Sequence, residues 1–493
     1  MFASVALLAA IAGWQPPGIR PAATTLSAVL DANAAATGKP DPAFARRRER
    51  WTYANGDRRF VVDVAVRDRD VRATVHLGAT DYDAGRLGGT RWRGDGNGIV
   101  HGLFGDQQGD AVDRLPQSYF SFDRADCTLA GETGGAAPRW VIADQPRGEP
   151  AVWLYVDEAS GLIVREVSRE GSRVSTIDFD RFTRTDGVVR PHHWRVSDGT
   201  RADDLDVTVE LVEPSAVTAN DVGLPARERV FAPPPNAPEV VALPARFNRG
   251  RITLEATIGG RKRLLVLDTG TASITLDPSV AGAFNPVLEH ATIPAISVGP
   301  VVLGNVSVLT IPIFGGRFAG ILGYDFFFGH VVHIDYVQQR VEVMSHAAAA
   351  PIFADAKTYV AAANVEHGLP LIGVRLGSIS SETFAVDTGS PRLHALTAFA
   401  QRYPEEIAKR WTRTGRSYTE RYLEGAVVIE PHKIASFSIG PYHFDDTPIG
   451  VEVPGALADE LTSIPFDGII GTDVLSNFDL YFDYDNGRIG FRR

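Results

Sequence analysis

The tripeptide Asp-Thr-Gly occurs twice in this sequence, at residues 268–270 and 387–389, each time directly after an apolar run. A pair of aspartates can hydrolyse a peptide bond without a metal or a covalent intermediate, because one carboxylate activates a water molecule while the other, protonated, serves as the acid. Two carboxyl groups about 3 Å apart cannot both ionise, so they share one proton. The sequence therefore predicts that Asp268 and Asp387 form one catalytic dyad, whose pKa values belong to the pair.

Each Asp-Thr-Gly has a matching partner further along the chain. Residues 320–343 align without a gap with residues 468–491, and the aligned segments begin with Gly-Ile-Leu-Gly and Gly-Ile-Ile-Gly. The repeat period is longer than that of solenoid repeats. We interpret the pattern as an internal duplication in which each half supplies one aspartate to a shared site.

On these residues, the region from about residue 240 to residue 493 resembles a bacterial two-lobed aspartic protease of the pepsin and retropepsin kind. In that family each lobe supplies a strand ending in hydrophobic-Asp-Thr-Gly and a later hydrophobic-hydrophobic-Gly segment. The resemblance implies lobes at residues 241–347 and 348–493. It also implies an aspartic-type endopeptidase, a hydrolase that binds a peptide or protein substrate between its lobes.

The same resemblance gives supporting roles to the residues beside the aspartates, which are Thr269, Gly270, Thr271, Thr388, Gly389 and Ser390. The threonines that follow the aspartates are expected to hydrogen-bond across the lobe junction, and the glycines permit a tight turn and a close backbone approach. The hydroxyls of Thr271 and Ser390 are expected to donate to the outer carboxylate oxygens. Such bonds lower a carboxyl pKa, so we expect activity at acidic rather than neutral pH.

Two alternatives to an active protease follow from the same residues. An isolated Asp-Thr-Gly is usually a strand-ending turn, because Asp and Gly are common turn residues; the duplication and the matched partners argue against this interpretation. The other alternative is a non-catalytic envelope protein with a pseudoprotease scaffold, which binds a lipid or hydrophobic ligand through its N-terminal domain. Both aspartates and their flanking hydroxyls are present, which favours the active protease.

The two copies differ where a flap over the substrate would lie, between the Asp-Thr-Gly strand and the later glycine segment. The second interval is longer and contains an aromatic and basic stretch at residues 403–422. We therefore expect only lobe 2 to carry a flap or lid, with Tyr418 or Tyr422 nearest the substrate. Pepsin-type enzymes carry the flap on the first lobe, so this chain departs from the family pattern. The alternative is a helical insertion at residues 398–411 without substrate contact.

The N-terminal half contains no catalytic motif. Its pattern predicts an amphipathic helix over residues 26–36, and turn signals such as Asn55-Gly56 predict an antiparallel meander. Residues 151–191 resemble the periplasmic lipoprotein-carrier (outer-membrane lipoprotein-sorting) fold, a curved antiparallel sheet with a helix. This resemblance implies a domain at residues 26–230 that binds lipid or another hydrophobic ligand. Trp92, Trp153 and Trp194 could line its cavity, although ordinary sheet core explains them more simply.

Composition narrows the function further. The net charge of -11 argues against a nucleic-acid partner, and Cys127, the single cysteine, excludes an intramolecular disulfide.

Local signals complete the predicted organisation of the chain. Four prolines within residues 231–240 predict a semi-rigid linker, and Asn486-Gly487 predicts a closing hairpin. The whole chain is expected to be mostly β. We expect a monomer that needs no cofactor and no metal.

The first 25 residues begin with an apolar run of signal-peptide length that is too short to span a bilayer, and it lacks a positively charged leader. Either the start codon is placed late or the segment is an ordinary apolar start; we favour export, because the resemblance to the lipoprotein-carrier fold implies a periplasmic domain. Together with the carrier-like domain, this predicts a protein in the bacterial periplasm or outside the cell.

Overall fold

The structure is a computed structural model of the chain. It describes residues 14–77, 80–102, 115–116, 119, 122–145, 151–170, 173–185, 187–197, 204–225, 231–248, 250–286, 290–313, 316–365, 368–421, 426–453 and 466–493. Strands dominate the described residues, so the prediction of a mostly β fold is confirmed. The predicted signal-like segment lies largely outside the described residues. None of the helices in the described part of the chain is long and apolar enough to cross a membrane.

The elements are numbered in chain order. The strands are β1 (Ile19–Arg20), β2 (Arg46–Asn55), β3 (Arg58–Arg67), β4 (Asp70–His76), β5 (Asp81–Leu87), β6 (Thr90–Gly94), β7 (Val100–Gly102), β8 (Cys127–Thr133), β9 (Arg139–Asp144), β10 (Val152–Asp157), β11 (Ile163–Glu170), β12 (Arg173–Thr185), β13 (Val188–Ser197), β14 (Leu205–Pro214), β15 (Val240–Ala242), β16 (Ala245–Asn248), β17 (Arg251–Ile258), β18 (Arg261–Leu267), β19 (Thr275–Leu276), β20 (His290–Val298), β21 (Val301–Thr310), β22 (Gly320–Leu322), β23 (Val331–Asp335), β24 (Arg340–Met344), β25 (Thr358–Ala362), β26 (Leu371–Leu376), β27 (Ile379–Val386), β28 (His394–Ala395), β29 (Thr412–Arg413), β30 (Tyr418–Arg421), β31 (Ala426–Ile439), β32 (Tyr442–Glu452), β33 (Gly468–Ile470), β34 (Asp479–Asp483) and β35 (Arg488–Arg492). The α-helices are α1 (Leu26–Thr37), α2 (Ala219–Val222), α3 (Pro278–Ala281), α4 (His346–Ala354), α5 (Thr397–Arg402), α6 (Pro404–Arg410) and α7 (Thr472–Leu475). Short 3-10 helices lie at Pro42–Ala45, Arg124–Asp126, Gly282–Phe284, Tyr324–Phe327 and Tyr484–Asn486.

The chain forms two compact units, and the first comprises residues 1–71 and 114–222. Its strands form an antiparallel sheet in the order β1-β8-β9-β10-β11-β12-β13-β14-β2-β3. Helix α1 begins where the Thr25 side chain accepts a hydrogen bond from the Ala28 N–H and ends at Gly38, as the sequence predicts. Trp51 and Trp194 are buried with their rings 4.9 Å apart, so Trp194 belongs to the core of the sheet.

The second unit comprises residues 72–113 and 223–493. These boundaries differ in two places from the predicted organisation, in which the N-terminal domain ends at residue 230 and a linker follows to residue 240. Residues 72–113, expected in the N-terminal domain, belong to this unit and contribute β5, β6 and β7. The proline-rich stretch also packs within it, because the Phe231 ring is buried against Phe326 at 5.4 Å and the Ser345 N–H donates to the Glu239 carbonyl.

The second unit contains two lobes with the same strand arrangement. In lobe 1, β18 runs parallel to β22, which pairs antiparallel with β19. In lobe 2, β27 runs parallel to β33, which pairs antiparallel with β28. Helix α4 spans the boundary expected between the lobes at residues 347 and 348. The duplication that the sequence contains is therefore a duplication of structure.

A six-stranded sheet joins the lobes in the order β15-β24-β23-β34-β35-β25. Its two central strands are antiparallel, and His333 lies opposite Tyr481 with the two rings stacked 4.3 Å apart. These two residues occupy equivalent positions in the two copies of the repeat. The sheet thus has a local two-fold axis at this pair, and the turn predicted at Asn486-Gly487 connects β34 to β35 on one side of it.

Candidate active site

Asp268 and Asp387 each follow the last residue of a buried strand, β18 or β27. The Asp268 N–H donates to the Leu322 carbonyl at 3.1 Å, and the Asp387 N–H donates to the Ile470 carbonyl at 3.0 Å. Both carbonyls belong to the hydrophobic-hydrophobic-Gly segments that the sequence pairs with the two Asp-Thr-Gly motifs. These segments therefore hold the catalytic candidates in equivalent positions at the ends of parallel strands.

Thr269 and Thr388 lock the two loops together and are fully buried. The Thr269 N–H donates to the Thr388 hydroxyl oxygen at 3.1 Å, and the Thr388 N–H donates to the Thr269 hydroxyl oxygen at 3.0 Å. Each hydroxyl in turn donates to a carbonyl of the opposite lobe, Thr269 to Val386 at 2.6 Å and Thr388 to Leu267 at 3.1 Å. The structure thus contains the cross-lobe bonds that the family resemblance led us to expect. Such reciprocal bonds satisfy buried polar groups and fix the spacing of the aspartates.

The same geometry brings the two carboxyl groups close enough for the charge of one to act on the pKa of the other. A Cβ atom at Gly270 would overlap the carboxyl group of Asp387, and one at Gly389 would overlap that of Asp268. Each glycine therefore leaves the space that the carboxyl group of the other lobe occupies. Because two neighbouring carboxyl groups repel each other when both are ionised, the pair favours holding one proton.

Burial sets the titration of this pair. It raises the pKa of Asp268 above its ordinary value, and burial together with the negative charge of Asp268 raises the pKa of Asp387 well above it. The N–H groups of Gly270 and Gly389 donate to the two carboxyl groups at 2.8 and 2.7 Å and act in the opposite direction. The dyad therefore keeps its shared proton to a higher pH than isolated aspartates would.

The hydroxyl groups beside the dyad are arranged unequally. Thr271 Oγ1 donates to Asp268 Oδ2 at 3.1 Å, as expected. The expectation for Ser390 is wrong, because its hydroxyl donates to the Arg392 carbonyl at 3.2 Å, and its N–H instead donates to Asp387 Oδ1 at 2.9 Å. A side-chain hydroxyl therefore stabilises the ionised form of Asp268, whereas Asp387 receives no hydrogen bond from the Ser390 hydroxyl.

This difference predicts how the pH dependence of cleavage responds to two matched substitutions. Removing the Thr271 hydroxyl in Thr271→Val destabilises the ionised dyad, so the acidic limb of the kcat/KM profile moves to higher pH by about one unit. Ser390→Ala leaves both limbs in place, because its hydroxyl does not contact Asp387. Profiles of kcat/KM against pH for the three proteins test this, and an equal shift in both variants would contradict it.

A hairpin of β30 and β31 lies in lobe 2 where the sequence predicts a flap. Tyr418 pairs with Ile429 in this hairpin, and Arg392 donates to the Tyr418 hydroxyl at 3.2 Å. Tyr422, the other flap candidate, lies outside the described residues. The helical insertion considered as an alternative is also present, as α5 and α6. Contact between Tyr418 and a substrate stays a prediction.

A second pair of carboxyl groups, which sequence reasoning missed, lies in the core of lobe 1. Asp95 and Asp325 are buried and lie close enough for their charges to interact. Burial and the charge of Asp95 raise the pKa of Asp325 well above its ordinary value. Asp325 also accepts the Ile274 N–H at 3.1 Å, which ties it to the loop that follows the Asp-Thr-Gly motif.

Asn97 connects this pair to strand β21. Its side-chain amide donates to the Ser307 carbonyl at 2.8 Å and to Asp325 Oδ2 at 3.1 Å, and its carbonyl oxygen accepts the Ser307 N–H at 2.8 Å. Lobe 2 has an equivalent carboxyl group without such an insertion, since Asp473 accepts the Leu393 N–H at 3.1 Å. Residues 72–113 thus supply part of the support for one half of the dyad. In the sequence, the only sign of this supporting role is the Asp-Gly-Asn-Gly run at residues 95–98, and that run by itself predicts a turn.

A cavity of about 590 Å³ adjoins the dyad. Lobe 2 contributes Thr388, Gly389 and Pro391 to its lining, and lobe 1 contributes residues of β16, β17 and the segment before β22. Because the residues next to Asp387 form part of its wall, a peptide bound at the dyad could place a side chain in this cavity.

The first unit has a separate cavity of about 280 Å³. Phe122, Phe179 and Phe182 provide apolar walls, and Asn33 of α1 and Arg190 of β13 provide polar groups. Neither Trp153 nor Trp194, proposed as lining residues, is among those that surround it. Trp92 belongs to the second unit.

The sequence matches no family model and no curated protein. Among solved structures, a LolA-superfamily protein from Nitrosomonas europaea is 13% identical, with a TM-score of 0.32 over 41% of this chain and 98% of that chain. A DUF1329-family protein from Desulfovibrio piger is 12% identical, with a TM-score of 0.31 over 41% of this chain and 98% of that one. A domain described as an outer-membrane lipoprotein-sorting protein from Vibrio parahaemolyticus is 11% identical, with a TM-score of 0.30 over 40% of this chain and 95% of that one.

None of these three structures is described as a peptidase. The peptidase interpretation therefore depends on the geometry of the second unit alone.

Proposed function

We propose that this chain is an aspartic endopeptidase that cleaves peptide bonds with a water molecule activated between Asp268 and Asp387. The observation that carries the proposal is the pair of neighbouring carboxyl groups, positioned by reciprocal threonine hydrogen bonds between two equivalent lobes. In this mechanism the ionised carboxylate removes a proton from water while the protonated one donates to the substrate carbonyl oxygen. The same pair thus takes a proton from the attacking water and later donates one to the leaving amine.

Further groups in the second unit would assist the reaction. Thr271 would stabilise the ionised form of Asp268, and the hairpin that carries Tyr418 would cover the bound peptide. Tyr336 and Tyr484 are buried near the dyad. Burial raises the pKa of Tyr336, and the negative charge of the dyad raises it further. These tyrosines would therefore stay neutral throughout the catalytic pH range.

Cleavage of an unfolded protein tests the proposal. Casein is incubated with the full chain from acidic to neutral pH, and the fragments are identified by mass spectrometry. We expect cleavage that a statine-type transition-state analogue inhibits, because such an analogue occupies the position of the activated water. The absence of cleavage at every pH would contradict the proposed activity.

A second candidate function is non-catalytic binding of a lipid or hydrophobic ligand, and the cavity in the first unit favours it. Its three phenylalanines could contact an acyl chain, and Arg190 could pair with a carboxylate head group. Titration with a fluorescent fatty acid tests this function, with Phe182→Asp expected to prevent binding. Binding by a chain that cleaves nothing would support this candidate over the peptidase.

We further propose that the protein acts as a monomer in the bacterial periplasm or outside the cell, on peptide or protein substrates. The cleft between the lobes contains both aspartates within a single chain, so a monomer suffices for the proposed reaction. The apolar N-terminal run supports export.

A further inference from the structure

The cavity beside the dyad has a marked charge. Its charged lining residues are Arg246, Arg251 and Arg317, and no acidic side chain is among the described residues that line it. The chain as a whole has a net charge of -11, so this cluster is not a consequence of a basic composition. Three guanidinium groups in one concave site create a local positive potential that attracts anions.

The arginines differ in exposure. Arg246 and Arg317 are exposed, whereas Arg251 is half-buried with its guanidinium 5.7 Å from the centre of the Phe318 ring. Arg251 also lies close enough to Asp268 for its charge to lower the pKa of that carboxyl, which opposes the larger effect of burial. The cluster thus extends from solvent to the catalytic pair.

The nearest acidic side chain on the same strand is already neutralised. Glu255 of β17 forms an ion pair with Lys262 at 2.6 Å, and the pKa of Glu255 is lowered mainly by that hydrogen bond. The charge of Arg246 also lowers the pKa of Glu255, but to a smaller extent than Lys262 does.

The equivalent positions in lobe 2 carry no positive charge. Thr253 pairs with Val266 in lobe 1, and Leu371 pairs with Ala385 in lobe 2, which aligns the two hairpins. In this alignment Leu369 stands where lobe 1 has Arg251. Leu369 packs with Leu371, Phe466 and other apolar residues. At this position lobe 1 is therefore cationic and lobe 2 apolar.

We propose that the arginine-lined cavity binds a carboxylate of the peptide substrate, close to the scissile bond. This inference rests on the proposed peptidase function and specifies the substrate class of the same site. Arginine is suited to the task because its planar guanidinium can donate two parallel hydrogen bonds to a carboxylate. The carboxylate can come from a Glu or Asp side chain or from the C-terminus of the peptide.

Paired peptides test the proposal. A fluorogenic peptide that the protein cleaves is made with Glu or Gln at each position flanking the scissile bond, once with an amidated and once with a free C-terminus. We expect Glu at one position of the amidated peptides to raise kcat/KM roughly tenfold over Gln. A preference for the free C-terminus alone would identify the terminal carboxylate as the ligand. Equal kcat/KM values throughout would overturn the proposal.

Two variants make the test specific. The double substitution Arg246→Gln and Arg317→Gln is expected to bring the Glu-to-Gln ratio close to one. Arg261→Gln, which removes an exposed arginine at the turn end of the same hairpin outside the cavity, is expected to preserve the ratio. High salt should weaken the preference in the unsubstituted protein, because it screens exposed charges.

A binding measurement separates this proposal from the proposed catalysis. Fluorescence anisotropy compares the binding of labelled Glu and Gln peptides to Asp387→Asn, which retains the cavity. A preference for Glu in binding without cleavage by the unsubstituted protein would support the carboxylate site and contradict the peptidase. Cleavage without any preference would support the peptidase and contradict the carboxylate site.

Discussion

Replacing either dyad aspartate with asparagine is expected to abolish peptide cleavage. In Asp268→Asn or Asp387→Asn the amide has nearly the shape of the carboxyl group but cannot exchange a proton with water or substrate. We expect kcat/KM to fall by roughly 10³-fold or more, because general acid–base catalysis by the pair is lost. Assays with the peptide that the unsubstituted protein cleaves best provide the measurement.

Folding of these two variants should be preserved. Because the pKa values of both aspartates are raised in the folded protein, their stabilising contribution is present at low pH and is lost as pH rises through the folded pKa values. A neutral amide removes this penalty, so the thermal midpoint of either variant at neutral pH should equal or exceed that of the unsubstituted protein. Asp445→Asn, at a side chain that is 82% exposed, serves as the control for activity. Full activity in either dyad variant would contradict the catalytic assignment.

Asn97→Ala is expected to destabilise the second unit, although Asn97 is far from the catalytic motifs in sequence. The substitution removes three buried hydrogen bonds and leaves the backbone groups of Ser307 without these partners. We expect a loss of about 3 kcal/mol in the free energy of unfolding, because buried polar groups without partners are costly. The urea concentration that abolishes cleavage should fall, and amide exchange at Ser307 should accelerate.

A buried asparagine in the first unit provides the matched control. Asn33 donates to the Gly161 carbonyl at 2.9 Å, so Asn33→Ala should weaken the first unit without shifting the urea midpoint for cleavage. A fragment limited to residues 223–493 would lose the Asn97 contacts entirely and should be less stable than the full chain. Unchanged Ser307 exchange in Asn97→Ala would contradict this account.

The sequence was sufficient to predict the mostly β fold, the two lobes and the close approach of Asp268 and Asp387, because these depend on repeated local patterns. It was insufficient for the insertion at residues 72–113, since the Asp-Gly-Asn-Gly run at residues 95–98 has the same local signal as any turn. Its role depends on packing against Ser307 and Asp325, which are distant in sequence. The sequence also could not predict the hydrogen-bond partner of Ser390. The presence of a hydroxyl does not determine whether it points toward Asp387 or toward the Arg392 carbonyl.

The two-fold arrangement of His333 and Tyr481 is what fusion of two duplicated genes would leave behind. Two identical subunits would present the same wall at both ends of a bound peptide, and the peptide could then lie in either direction. Within one polypeptide, the two copies can diverge independently. Here one copy has Arg251 where the other has Leu369, and the second has gained the hairpin that carries Tyr418. In the proposed peptidase, the two ends of a bound peptide would therefore contact different walls.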